Sequence, residues 1–179
     1  VELTSHIQAY SGQARLSIEQ VDVTSLVRNT LKSSDIKPPA NVEIIHNFAK
    51  KLPSIMGDPI QIQQLIKNLV CNAFESINDR KGTITITTGT IRCDKEYLKK
   101  AYINESFSDG DYVYIEMSDT GCGITPKVYS RMFDPFFTTK IRGHGLGLSV
   151  VIGILRAHNG TIQVESQPEN GATFRTIFP

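Results

Sequence analysis

The stretch from Asp58 to about Asn78 constrains the fold more than any other part of the chain. Ile62, Leu65, Ile66, Leu69, Val70, Ala73, Phe74 and Ile77 recur at helical spacing without a break, so one face of a long helix must be buried. Asp58 is a good N-cap, and Pro59 suits the first helical position, where its missing N–H is no loss. A helix this apolar on one side needs a second layer to lie on. The sequence that follows supplies it: "GTITITTGTI" and "DYVYIEMSD" both alternate with period two, as strands do.

The remaining elements fit the same plan. A shorter helix is expected over Val23–Leu31, stopped by "KPP". "NVEIIHNF" reads as a strand with "LPSIMG" as its expected partner. Residues 1 to about 16 carry Leu3, Ile7, Tyr10 and Ala14 at helical spacing and read as the tail of a helix. "RCDKEYLKKAYINESFSDG" is a polar connection with one helical turn in it. Residues 120 to 145, rich in Gly, Pro and Thr, read as one long functional loop. A helix from Leu146 to about His158 follows, and "GTIQVES" with "GATFRTIF" closes as a hairpin. The expected fold class is α/β (α+β): a two-layer sandwich, with a mixed β-sheet covered on one face by helices.

Bulk properties narrow the partners. A net charge of +1 over 179 residues, with Lys and Arg scattered, argues against nucleic acid and against a charged membrane surface. Cys71, Cys93 and Cys122 are odd in number and widely spaced, which argues against a disulfide framework and against a metal site. Free thiols fit a reducing cytoplasmic setting. No apolar run reaches spanning length and no signal peptide opens the chain. The chain begins with Val, so it is expected to be a piece of a longer protein whose membrane anchor, if it has one, lies elsewhere.

Four features carry chemistry. Asn68 and Asn72 stack one turn apart on the long helix, clear of the apolar face, although Asn is a poor helix former. A solvated polar face accounts for both; so does an amide oxygen holding a hard cation such as Mg²⁺. Alternation places Asp119 on the same face as Val113, Ile115 and Met117, where a carboxylate needs a hydrogen-bond donor. Asp119 caps its own turn, or it accepts an exocyclic amine while Gly121 and Gly123 let the backbone approach a flat ring. "RMFDPFFTTK" places adjacent phenylalanines in a Gly/Pro/Thr setting, where they can anchor a mobile lid, with Lys140 at its end as a phosphate contact or a solvated charge. Gly143, Gly145 and Gly147 then gather backbone N–H groups at a helix start, an anion-binding concavity backed by the helix dipole.

In this order, these features resemble the catalytic domain of sensor histidine kinases, within the ATP-binding superfamily of gyrases, heat-shock chaperones, histidine kinases and mismatch-repair ATPases. "NLVCNAFESI" resembles the asparagine-bearing helix, "DTGCGI" the first glycine box, and "FDPFFTTK" the phenylalanine box. "GHGLGLS" resembles the second glycine box and "GATFRTIFP" the closing strand. The match covers roughly residues 20 to 179. Its spelling is most similar to the branch of nitrogen-regulation-type sensors and hybrid sensor kinases.

The resemblance implies a Bergerat-type fold that holds ATP and Mg²⁺. Asn72 matches the Mg²⁺-coordinating position and Asn68 the polar position one turn earlier. Asp119 matches the acceptor of the adenine amine, with Gly121, Gly123 and Ile124 beside the ring. Gly143, His144, Gly145, Leu146, Gly147 and Leu148 match the loop that closes over the phosphates. Lys140 approaches the γ-phosphate, and Thr173 matches a threonine near the adenine-side water network. Glu75 departs from the pattern, standing where several branches have a basic nucleotide contact. In the superfamily's hydrolases a Glu one turn before the metal Asn activates water; Asn68 occupies that place, and its neutral amide is no general base.

The implied chemistry is phosphoryl transfer by positioning and charge neutralisation. Residues 1–18 resemble the tail of a dimerisation and phosphoacceptor hairpin, and 19–179 the catalytic domain. The parent is then a homodimer and this chain a monomer, and the acceptor His lies upstream. His6 is followed by Ile7 and Gln8 rather than by an acidic residue, so it does not match an acceptor. A response-regulator receiver Asp would take the phosphoryl group next. Two other readings stand beside this one: a Ser/Thr-directed kinase on the same fold, and a non-catalytic nucleotide-binding module. His46, His144 and His158 offer no better enzyme. His158 lies near a helix end where its charge would suit the dipole.

Overall fold

Asp58 starts the helix on which the fold is built. Its carboxylate accepts the backbone N–H groups of Ile60 at 2.9 Å and Gln61 at 3.2 Å, capping α2 (Pro59–Ile77) with Pro59 in its first turn. The computed structural model describes residues 16–33, 36–99, 101–103, 108–140 and 143–179. The helix expected over residues 1 to 16, with His6, lies outside them.

In chain order the elements are β1 (Glu19–Val21), α1 (Val23–Leu31), β2 (Val42–Phe48), β3 (Ile55–Gly57), α2, β4 (Gly82–Cys93) and the single turn α3 (Lys95–Leu98). Then come β5 (Gly110–Asp119), the single turn α4 (Pro126–Tyr129), α5 (Gly147–Ala157), β6 (Thr161–Ser166) and β7 (Ala172–Phe178). Five strands form one mixed sheet in the order β2-β4-β5-β7-β6. Only β2 and β4 run parallel, because the chain between them crosses over through α2.

The expected β2–β3 pairing is not formed. β2 pairs with β4 along all seven of its residues, from Val42 opposite Gly82 to Phe48 opposite Thr88. β3 pairs instead with β1, a strand whose three residues are too short to show a period, in antiparallel register from Glu19–Gly57 to Val21–Ile55. A seven-residue ladder beside a long, half-buried strand satisfies more backbone than a three-residue hairpin does.

Alternation sorts the sheet into two faces. Ile84, Ile86, Ile115, Met117, Phe174 and Phe178 turn inward and are almost fully buried, under the apolar faces of α2 and α5. Ile62, Leu65, Ile66, Leu69, Val70, Val151, Ile154 and Leu155 complete this core. Burying a side chain of this kind contributes about 1.5–3 kcal/mol relative to leaving it exposed, so this interface dominates the stability. The opposite face is largely polar, apart from a small cluster of Cys93, Leu98, Tyr112 and Ile177 beneath α3. The two-layer arrangement is as expected. Among the described residues no helix is long and apolar enough to cross a membrane.

His158 is a correction. It is buried, accepts the backbone N–H of Asp58 at Nε2 (2.9 Å), and places Nδ1 2.7 Å from the carbonyl oxygen of Ile154. A ring that accepts at Nε2 and donates at Nδ1 is the uncharged tautomer, so it pins two helices together instead of complementing a dipole.

Candidate functional site

The long helix presents a polar stripe at four-residue spacing: Gln64, Asn68, Asn72 and Ser76. Asn68, Asn72 and Ser76 of this stripe form one wall of a cavity of about 1000 Å³. The end of β5 and the start of β7 form the floor, with Asp119, Ala172 and Phe174. Residues 122–140 and 143–148 supply the opposite wall, with Ile124, Met132, Phe137, Lys140 and the glycines Gly143, Gly145 and Gly147.

Asp119 is 5% exposed. Its Oδ1 accepts the hydroxyl of Ser76 and the N–H of Gly121, both at 2.8 Å. Burial raises the carboxyl above its ordinary value, and the hydrogen bonds from Ser76 and Gly121 only partly offset it. The buried carboxylate lines the cavity floor.

Along the stripe, each amide has a defined orientation. Gln64 Nε2 donates to Asn68 Oδ1 at 3.0 Å, and Asn68 Nδ2 donates to the Gly147 carbonyl at 3.3 Å. Lys140 Nζ donates to Asn72 Oδ1 at 2.9 Å and forms an ion pair with Glu75. Two oxygens from one helix face thus already converge on a cation.

The start of α5 has no side-chain cap at Leu146, so its first-turn N–H groups are left for water or a ligand. The three glycines serve different ends. Gly145 has φ +67°, and a Cβ there would lie 2.5 Å from the Phe136 carbonyl carbon. Gly143 packs against Thr138 Oγ1. Only Gly147 has open space where a side chain would be, so it is the one that keeps a ligand's path to the backbone clear. Phe137 lines the cavity beneath the Arg131 guanidinium, 4.6 Å from its ring, while Phe136 is 70% exposed.

A buried acceptor, an uncapped helix start and a paired lysine around one cavity are the parts of a nucleotide site. The model of the histidine kinase-, DNA gyrase B-, and HSP90-like ATPases matches residues 57–179.

The chain belongs to this ATPase family.

Among curated relatives of this ATPase domain is the signal transduction histidine-protein kinase AtoS of Escherichia coli (strain K12), 35% identical over 164 residues. The match covers 90% of this chain and 24% of AtoS, so the chain spans about a quarter of that relative. The nucleotide-free catalytic domain of histidine kinase ThkA superposes with a TM-score of 0.70 at 25% identity, covering 91% of this chain and 95% of that one. Full-length ShkA in complex with AMPPNP superposes with a TM-score of 0.75 at 24% identity, covering 99% of this chain and 35% of ShkA. That likeness is one of fold.

The structure brings most of the expected residues of the ATPase site together. Asn68, Asn72, Asp119, Gly123, Ile124, Lys140, Gly143, His144, Gly145, Leu146, Gly147 and Leu148 all line the cavity. Gly121 does not; it sits behind Asp119, where a Cβ would meet Ser76 Oγ at 2.2 Å, and its N–H is spent on the carboxylate. Thr173 does not either. Strand alternation turns it to the other sheet face, where its hydroxyl lies 2.9 Å from that of Ser118, and Ala172 lines the cavity in its place. Asn68 Nδ2 donates to the Gly147 carbonyl at the start of α5. Ser76 was missed, although its spacing of four from Asn72 marks the same face.

Glu75 and Asn72 suit a hard cation, being oxygen donors with room beside them for phosphate oxygens. Among the described residues no cluster of three His, Cys, Asp or Glu side chains offers a rival metal site.

Proposed function

We propose that this domain binds Mg·ATP in the cavity and transfers the γ-phosphoryl group to a histidine on a dimerising helical hairpin, for relay to a response-regulator aspartate. One observation carries the reading: Asp119 and the uncapped start of α5 face the same cavity from different walls, an amine acceptor and an anion site for the two ends of one nucleotide.

On this reading Asp119 accepts the adenine amine, while Ala172 and Gly123 border the ring. The N–H groups of the α5 first turn receive the phosphates, and Lys140 reaches the γ-phosphate when it leaves Glu75. Asn72 would hold Mg²⁺, which supplies charge neutralisation on the phosphates. Asn68 keeps Gly147 in place through its amide and cannot take a proton from water. Transfer to a supplied acceptor is therefore favoured over hydrolysis. On this reading 19–179 is the catalytic domain, monomeric as a piece and dimeric in the parent.

The test is incubation with γ-labelled ATP, alone and with a separately purified hairpin. Acid-labile label on the hairpin and none on this chain is the expected result. Acid-stable label on a protein acceptor would replace this reading with a Ser/Thr-directed kinase. Tight ATP binding with no transfer to any hairpin would leave a nucleotide-binding module.

A further inference from the structure

We propose that Glu75 makes nucleotide binding at this site dependent on a divalent cation, by holding Lys140 on Asn72 until that cation arrives. The inference deepens the nucleotide reading and rests on it.

The geometry is a three-residue contact. Lys140 Nζ donates to Asn72 Oδ1 at 2.9 Å and pairs with the Glu75 carboxylate, which sits one helical turn further along α2. The ammonium therefore occupies the amide oxygen that suits a metal, and Glu75 keeps it there. All three side chains line the cavity.

Charge counting gives the consequence. Before ligand enters, Lys140 and Glu75 neutralise each other. A polyphosphate draws the ammonium toward itself and breaks the pair. Glu75 is then a bare carboxylate beside a polyanion, and like charges at this range repel. A divalent cation on Asn72 removes that repulsion and takes over the position the ammonium left. Glu75 thus opposes metal-free nucleotide twice, by stabilising the empty site and by repelling the phosphates. It opposes the metal complex once at most, because its attraction to the metal offsets the lost pair.

The experiment measures the affinity of AMPPNP by calorimetry for the wild-type chain and for Glu75→Gln, each with excess EDTA and with saturating MgCl₂. The amide keeps the size of the side chain and loses the charge. Glu75→Gln is expected to tighten metal-free binding by about 3- to 10-fold, as loss of one part-screened charge implies, and to change binding in Mg²⁺ by less than about 2-fold. The ratio of the two affinities shrinks accordingly. Glu75→Ala should do the same, and thermal melting confirms that both variants are folded. An equal change in both media, no change, or weaker metal-free binding overturns the proposal. If wild type binds AMPPNP under neither condition, the nucleotide reading itself fails. If it binds and the ratio is unmoved by either variant, only the role of Glu75 fails.

Discussion

His158 Nε2 accepts the backbone N–H of Asp58 at 2.9 Å across 100 residues of sequence. The same Asp58 caps α2 and also accepts the N–H of Ser17 at 3.0 Å, so the lead into β1, the start of α2 and the end of α5 meet at one point. His158→Ala leaves a buried donor unpaired and opens a void. The loss expected in urea unfolding is about 2–4 kcal/mol. A change under about 0.5 kcal/mol would show that the tie is incidental.

Asp119→Asn should separate stability from binding. Burial raises the Asp119 carboxyl, so its proton is held more tightly in the fold than in the unfolded chain. The sign is that stability falls as pH rises from the ordinary carboxylate range through the raised folded value, and the ionised group is a cost at neutral pH. Asn still accepts from Ser76 and Gly121 without that cost. Melting at pH 7 should rise by about 2–4 °C, for a gain on the order of 1 kcal/mol. Nucleotide affinity should fall by about 1–3 kcal/mol, because the partner for the adenine amine is gone. Wild-type affinity would refute the acceptor role; a lower melting temperature would refute the burial argument.

Gly145 and Gly147 should respond in opposite ways to alanine. At Gly145 the added methyl meets the Phe136 backbone in a left-handed conformation, so the segment must rearrange and melting should drop. At Gly147 it meets nothing, and alanine favours the helix by up to about 1 kcal/mol. Gly147→Ala should thus melt no lower than wild type yet bind Mg·AMPPNP more weakly. Equal affinity for wild type and Gly147→Ala would mean that phosphates do not approach this turn.

The legible parts of the sequence were those in which one local period runs long enough. α2 declared itself through eight apolar positions and the Asp58–Pro59 start, and Asp119 through alternation from Val113. Alternation from Phe174 also turns Thr173 away from the cavity and toward Ser118, which a motif match by itself does not register. β1 is too short for any period to show. The β2–β4 pairing and the Lys140 contact with Glu75 are set by how the layers meet, and no local pattern records them.

The thiols should report on the cavity. Cys93 is fully buried, and burial followed by Asp94 pushes its thiol up, so it should resist alkylation until the chain unfolds. Cys71 and Cys122 are exposed and both line the cavity. Although Cys71 is exposed as a residue, partial burial of its thiol among neighbouring side chains, then Glu75, raises the thiol and lowers its thiolate fraction. Mass spectrometry after brief iodoacetamide treatment at pH 7.5 should show Cys122 modified before Cys71, and Mg·AMPPNP slowing both. Unchanged rates at saturating ligand would place the nucleotide elsewhere.

β7 lies between β5 and β6, although it is the last of the strands in the chain. A nascent chain that has not yet cleared the ribosome through Phe178 leaves β5 with an open edge and β6 with no strand partner. It also lacks Ala172 and Phe174 at the cavity floor. Up to that moment translation can yield helices and hairpins but no site able to hold a nucleotide. The floor of the cavity is therefore completed only when β7 inserts between β5 and β6.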